Sequence, residues 1–304
     1  MYDIFSQVLV LFIFLIIGYV LKKSKKLPDN ASNILSVVLV YVFSTCNILK
    51  TFSQKFTFDY IKDKYDIIIV SFLILVPLSI LAILLARIFG KTKYERAVFS
   101  YTFTMPNFGY MGYTVMESLY GLDNLLNMMM FAIPLNIYTY TVGYSTLTKS
   151  GFKLKRLINP VFICIIAGMI IGLSGITLPK PIITVLNNSS SSMGPVSMLL
   201  AGITIAEFNL LEILKDFRIY ITSFIRLLVI PALLYLFLSP IVSKHILLCA
   251  LVGYSMPCGL NTIVFPKLIN ENCKIGAGLA VISNTLSIVT IPIILNYLIK
   301  WHLC

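Results

Sequence analysis

Two short segments of the chain carry the residues whose types and spacing could bind a small molecule. Each has a proline inside a long apolar stretch, followed at once by small or polar residues. The first reads Thr104-Met105-Pro106-Asn107-Phe108-Gly109, and the second reads Ser255-Met256-Pro257-Cys258-Gly259-Leu260-Asn261. Because proline lacks an N–H and clashes with the preceding turn, we expect a helix to break at each one. Each break exposes the start of a half-helix, whose free N–H groups and positive dipole end favour an anion.

The predicted binding residues are those that follow the prolines. They are Asn107, Phe108 and Gly109 in the first segment and Cys258, Gly259 and Asn261 in the second, with Pro106 and Pro257 as the crossover points. The Asn107 and Asn261 amides can donate hydrogen bonds to a carboxylate. Cys258 is expected to be reachable through a water-filled cavity. The alternative is a simple proline kink in each helix, with Asn107 as a local cap.

The elements that must position these residues are membrane helices. Of the 304 residues, 58% are hydrophobic and 12% are charged, and the mean hydropathy is +0.92, which excludes an ordinary soluble domain. Because about 20 apolar residues span a bilayer core, the sequence predicts an all-α membrane protein, one transporter domain over 1–304 in contact with the lipid bilayer. The ten predicted transmembrane helices are 4–21, 32–53, 66–89, 95–120, 124–148, 160–178, 182–206, 217–239, 244–268 and 275–299.

The net charge of +12 could indicate nucleic-acid binding, but the positions of the basic residues indicate membrane topology. Basic residues concentrate in alternate connections: Lys22, Lys23, Lys25 and Lys26, then Arg87, Lys91, Lys93 and Arg96, then Lys149, Lys153, Lys155 and Arg156. By the positive-inside rule these connections are cytoplasmic. We therefore expect no nucleic-acid partner, and a multi-pass protein of the plasma or inner membrane with both termini outside.

The chain is predicted to be one five-helix unit repeated twice. Pro106 and Pro257 lie 151 positions apart, and so do Pro28 and Pro179. The Ile-Ile-Gly pattern that ends at Gly18 in span 1 returns at Gly172 in span 6. The repeats would be 1–150 and 151–304, and an odd number of spans forces the second to insert upside down. Helices 4 and 9 would then be broken and cross each other at mid-membrane.

Polar side chains inside the other spans are further candidates for the cavity. Arg226 could balance a bound anion or form a structural pair between helices. Asn47, Asn136 and Asn284 could line the cavity or bond neighbouring helices. The six cysteines show no CxxC and no metal-ligand spacing, so we expect no metal and no cofactor.

These residues resemble the auxin efflux carrier family, a PIN-like family of the bile acid/auxin/arsenite carrier superfamily that includes plant auxin exporters and bacterial organic-anion permeases. The similarity rests on Pro106-Asn107, Gly112 and Tyr120-Gly121, on Pro257, Gly259, Asn261 and Val264-Phe265, and on Pro195 and Gly202. Two departures matter: Thr114 stands where family members often have proline, and Asn261 follows its proline by four positions whereas Asn107 follows directly. The two halves of the site are therefore chemically different.

The resemblance implies an elevator-type carrier with a crossover of helices 4 and 9. Helices 3–5 and 8–10 would move, and helices 1, 2, 6 and 7 would form a scaffold and a surface for a homodimer. The expected function is secondary transport of a small organic anion, such as a mono- or dicarboxylate. The alternatives are a sodium-coupled symporter of the bile-acid-carrier type and a non-transporting membrane sensor. No enzyme motif such as HExxH is present, and the sequence leaves the substrate, the direction, the coupling ion and the oligomeric state open.

Overall fold

The computed structural model describes residues 2–269 and 271–296, and these residues form helices joined by short connections. The end of the tenth predicted span, 297–299, and the C-terminal end of the chain lie outside the described residues. The helices are α1 Tyr2–Lys23, α2 Ala31–Lys55, α3 Phe58–Lys64, α4 Asp66–Phe89, α5 Lys93–Thr104, α6 Phe108–Leu147, α7 Pro160–Ser174, α8 Lys180–Ala206, α9 Leu210–Ile213, α10 Phe217–Leu238, α11 Lys244–Ser255, α12 Asn261–Lys267 and α13 Lys274–Ile294.

Six of these helices are long and apolar enough to cross a membrane by length and composition: α1, α2, α4, α6, α10 and α13. The other predicted spans do not form one long apolar helix, and the reason can be identified for each. Helix α7 is apolar but has 15 residues, and α8 carries the polar run 187–192. Spans 4 and 9 are interrupted at their prolines. The described chain is thus an all-α membrane protein.

Helix α6 combines the second part of predicted span 4 with span 5. It runs for 40 residues and bends at Gly121, where φ is 80° and ψ is 178°. Glycine adopts this positive φ without the steric cost that a Cβ would bring. The bend separates the half-helix that starts at the first break from the helix that returns beside it.

Consecutive connections between the long helices lie alternately at one end of the molecule and at the other. At one end Arg218 pairs with Glu95, Lys149 with Glu271, and Lys274 with Glu212. At the other end Lys55 pairs with Asp123, Tyr60 bonds Asn127, and Lys64 contacts His245. Successive long helices therefore run in opposite directions through the bundle.

The two halves of the chain place helix boundaries at equivalent positions. Helices α5 and α11 have 12 residues each and begin 151 positions apart, at Lys93 and Lys244. Helices α4 and α10 begin at Asp66 and Phe217, again 151 positions apart. The offset of 151 positions between the two prolines therefore also separates the starts of whole helices.

Glycines let two pairs of helices from opposite halves touch backbone to backbone. A methyl group at Gly18 of α1 would overlap the Leu199 carbonyl of α8, and one at Gly202 of α8 would overlap the Leu15 carbonyl of α1. In the same way, Gly172 of α7 lies against the carbonyls of Phe52 in α2 and of Phe56 just after it. Small residues permit such close packing of membrane helices. The Ile-Ile-Gly pattern therefore does the same task in both halves.

The core of the molecule surrounds α11, in which every residue from Ile246 to Ser255 is buried. A helix that is buried on all its faces occupies the centre of a bundle and not its lipid-facing surface. The second broken helix therefore lies in the interior, where its interruption needs partners from the surrounding protein.

Candidate functional site

The first helix break is short and has an irregular backbone. Helix α5 begins at a cap in which Thr92 Oγ1 accepts the N–H of Glu95 at 3.1 Å. It ends at Thr104 because Met105 is extended and Pro106 follows. The Asn107 side chain does not cap the helix that follows, so this break is more than a locally capped kink.

The two breaks lie directly against each other. Pro106 and Cys258 form an isolated antiparallel bridge, and the N–H of Asn107 donates to the Pro257 carbonyl at 2.8 Å. A buried N–H is costly unless it is paired, and here each break supplies the partner for the other. The contact brings residues from distant parts of the chain into one site.

Two side chains satisfy the remaining backbone groups of the second break. In an unbroken helix the Cys258 N–H would bond the Tyr254 carbonyl. Instead the Cys258 N–H donates to Ser283 Oγ at 3.0 Å, and the Tyr254 carbonyl accepts from Arg226 Nη1 at 2.8 Å. The interruption of α11 is thereby stabilised from α13 on one side and α10 on the other.

A cavity of about 60 Å³ opens where the breaks meet. Its lining contains amides, hydroxyls and aromatic rings but no carboxylate and no basic side chain: Val40, Ser44, Ile48, Pro106, Asn107, Phe108, Gly109, Tyr110, Tyr113, Asn136, Thr139, Tyr140, Val161, Gly259, Leu260 and Asn261. Such a mixture of apolar walls and a few convergent polar groups is typical of small-molecule sites.

The hydrogen-bond donors of the first break indicate what kind of ligand this cavity can bind. The first N–H groups of a helix lack an intrahelical acceptor, and Phe108, Gly109 and Tyr110 at the start of α6 all line the cavity. The Asn107 side chain is 4% exposed and makes no hydrogen bond within the described residues. Its amide is therefore free to bind a ligand.

The second break contributes differently. Asn261 lines the cavity, but its Nδ2 donates to the Tyr101 hydroxyl at 2.9 Å. Helix α12, which it starts, has seven residues, too few for an aligned dipole comparable to that of α6. The two halves of the site therefore differ, and the donors without a protein partner come chiefly from the first break.

Six of the eight predicted break residues line the cavity: Pro106, Asn107, Phe108, Gly109, Gly259 and Asn261. Pro257 and Cys258 do not. Cys258 is 0% exposed, and its backbone is held between Pro106 and Ser283. The expectation that its thiol is reachable through the cavity is wrong for this conformation, because the antiparallel bridge turns that residue into the protein interior.

Of the other polar candidates, one lines the cavity and three do not. Asn136 lines the cavity. Asn47 instead bonds Met193 and Ser190, and Asn284 donates to the Ala280 carbonyl of its own helix at 2.7 Å. Arg226 is buried behind the second break. These three do not touch the cavity in this structure.

Several lining residues had no signal in the sequence motifs. Ser44 comes from α2, and Thr139 and Tyr140 come from the far end of α6. All three lie in π-helical turns, as do Phe108 to Tyr110, and another such turn carries Arg226. π-Helical turns are frequent at functional sites, but nothing in the local sequence marks them.

An ion pair lies just beyond the cavity on each side. One turn past Tyr113, Glu117 Oε1 accepts from Lys50 Nζ at 2.6 Å, and Ser190 bonds both side chains. Beyond Asn261, Lys267 of α12 pairs with Glu207, which also accepts from the Ser32 hydroxyl. The first pair joins α2 to α6, and the second joins the residue just after α8 to α12.

Comparison with known proteins relates the whole chain to membrane transporters. The chain is 27% identical over 308 aligned positions to an uncharacterized transporter from Methanocaldococcus jannaschii, and the alignment covers 94% of this chain and 96% of that one. The membrane transport protein family model matches residues 3–155 and residues 148–295, which together span nearly the whole chain. The chain therefore belongs to the membrane transport protein family, the family of the auxin efflux carriers.

Proposed function

We propose that the protein is a secondary carrier for a small organic anion, such as a mono- or dicarboxylate. The observation that carries this proposal is the cavity at the contact of the two breaks. It offers the Asn107 amide and the first N–H groups of α6, and its lining has no carboxylate that would repel an anion. Helix N-termini of this kind bind carboxylates and phosphates.

The residue roles follow from position. Asn107 and the N–H groups of Phe108 and Gly109 hold the carboxylate. Asn261, fixed by Tyr101, bonds the second side of the ligand, and Gly259 keeps that wall free of side chain. Pro106 and Pro257 hold the helix ends apart and so keep the site open between them.

The transport cycle is of the elevator type, in ten membrane helices arranged as two inverted repeats. The matched helix starts at Lys93 and Lys244 support the repeat, and the opposite ends of alternate connections support helices that run up and down. Helices α1, α2, α7 and α8, tied together by close glycine contacts, form the scaffold. The remaining long helices, with both breaks, move against it.

The basic connections face the cytoplasm in this proposal, and the N-terminus faces outside. Impermeant thiol labelling tests the orientation with Lys153→Cys in a cysteine-free background. Labelling of this cysteine from outside in sealed cells would show that the protein has the opposite orientation.

A thermal-shift screen tests the anion proposal. The purified protein in nanodiscs is titrated with mono- and dicarboxylates, with and without sodium, and the best ligand is then followed as flux in proteoliposomes. A ligand that binds the folded state raises the Tm by mass action. We expect stabilisation and saturable flux with at least one carboxylate, in choline as well as in sodium.

The other outcomes separate the alternatives. Stabilisation that requires sodium identifies a sodium-coupled symporter. Stabilisation without flux identifies a sensor. A ligand set made only of cations contradicts the proposal, because the donors around the cavity are arranged for negative charge.

A further inference from the structure

Arg226 is a fully buried cation in a membrane helix. It lies in the π-helical turn Ile225–Val229 of α10 and is 0% exposed. Its Nη1 donates to the Tyr254 carbonyl, and its guanidinium lies 5.6 Å from the centre of the Tyr254 ring. Both contacts come from the last turn of α11, immediately before the second break.

The charge of Arg226 has no counter-ion among the described residues. None of the ion pairs in the described part of the chain includes it, and its Nε and Nη2 are buried without a hydrogen-bond partner. A buried charge is expensive unless it is paired. The positive charge is therefore uncompensated in this state of the protein.

The geometry of the break does not require a charge at this position. The neighbouring orphan group, the Cys258 N–H, is satisfied by the neutral hydroxyl of Ser283. A neutral donor would likewise satisfy the Tyr254 carbonyl. The excess positive charge needs another explanation, and the ligand cavity, which Gly259 and Asn261 of the same break line, supplies one.

We propose that Arg226 determines the charge selectivity of the carrier: its fixed positive field, acting across the second break, makes the cavity favour a carboxylate over a neutral ligand of the same shape. This inference rests on the proposed function. Arg226 does not line the cavity, so it acts through its field and not by contact. In the protein interior such fields are weakly screened, and the bound anion compensates the guanidinium.

The test compares carboxylates with their own amides. Probe pairs are acetate and acetamide, succinate and succinamide, and benzoate and benzamide, measured as Tm shifts of the protein in nanodiscs. For the wild type we expect a carboxylate to bind at least tenfold tighter than its amide. Arg226→Gln should reduce this ratio at least tenfold, whereas Arg226→Lys should largely keep it.

Ser283→Ala is the matched control. It removes the other side-chain bond of the same break without changing charge. Ser283→Ala should weaken the binding of acid and amide alike and leave the ratio of their affinities unchanged. If Arg226 had a purely structural role, Arg226→Gln would have this same effect. If Arg226→Gln does not give folded protein, Arg226→citrulline provides a neutral side chain of nearly the same shape.

The outcomes are distinguishable. Wild-type protein that binds no carboxylate contradicts the proposed function itself. Wild-type protein that prefers carboxylates, together with an unchanged ratio in the neutral variants, contradicts only the assignment of Arg226.

Discussion

At Asn107 the backbone and the side chain have separate tasks. The N–H bonds the Pro257 carbonyl and holds the two breaks together, while the amide faces the cavity without a partner. A side-chain change at this position can therefore remove a ligand contact without removing the contact between the breaks. Asn261 is less independent, because its amide already bonds Tyr101.

Asn107→Ala should abolish most transport while the protein still folds and reaches the membrane. A hydrogen bond to a charged group contributes about 1.5–3 kcal/mol, so its loss should weaken anion binding roughly ten- to hundred-fold. Asn261→Ala should have a smaller effect, and Asn107→Asp a larger one, because it adds a negative charge. Flux in proteoliposomes measures all three.

Asn284→Ala is the control for these variants, since Asn284 is equally buried but bonds only its own helix. It should transport normally. Normal anion transport by Asn107→Asp would contradict the helix-terminus site.

Cys258 should be protected from thiol reagents in the folded protein. It is fully buried, whereas Cys46 and Cys164 are half-buried. Brief treatment with N-ethylmaleimide followed by mass spectrometry should modify Cys46 and Cys164 well before Cys258, and denaturant should remove the difference. Rapid modification of Cys258 in native protein would show that the cavity opens to it.

At the scale of elements, helix crossings depend on a few small residues. The contact of α1 with α8 places Gly18 and Gly202 against opposite carbonyl groups, with no space for a methyl group on either. Gly172 does the same between α7 and α2. These crossings connect the two halves of the chain, so their geometry decides how closely the helices of the two halves pack.

Gly202→Ala should destabilise the protein by about 1–3 kcal/mol, the usual cost of overpacking, because the added methyl must push α1 away from α8. The Tm in detergent measures the loss. Gly151→Ala is the matched control, since nothing lies within 4 Å of a Cβ there. Equal Tm values for the two variants would mean that this crossing tolerates separation.

The sequence predicted the breaks better than the cavity around them. Prolines act locally, so the ends of α5 and α11 could be inferred from Pro106 and Pro257 alone. The cavity depends instead on Ser44 and Tyr140, which reach it through tertiary packing that no local pattern encodes. The burial of Cys258 was missed for the same reason: its orientation is set by pairing with another segment.

At the scale of the whole molecule, two ion pairs of opposite polarity join the scaffold to the broken helices. Lys50 of α2 pairs with Glu117 beyond the first break, and Glu207 after α8 pairs with Lys267 beyond the second. The basic partner belongs to the proposed scaffold in the first pair and to the proposed moving unit in the second. In the elevator cycle proposed above, movement of one unit past the other would separate or exchange these contacts.

Lys50→Glu should reduce transport strongly, because it places two carboxylates together beside the path to the cavity, and Glu117→Lys in the same chain should restore much of it. The outer pair Lys55 and Asp123 is more exposed, and exposed pairs contribute about 0–1 kcal/mol. Lys55→Glu is therefore the control and should have little effect on flux. Failure of the double variant to recover would show that the pair acts through more than its charges.

The bond between the Asn107 N–H and the Pro257 carbonyl has a consequence for how this protein can evolve. Both partners are main-chain groups, so the crossing survives any replacement at position 107 that leaves an N–H. The side chains around this bond can then be replaced, and the substrate can change, while the two prolines maintain the helix breaks. A lineage built this way can diversify its substrates one residue at a time without first inventing a new fold.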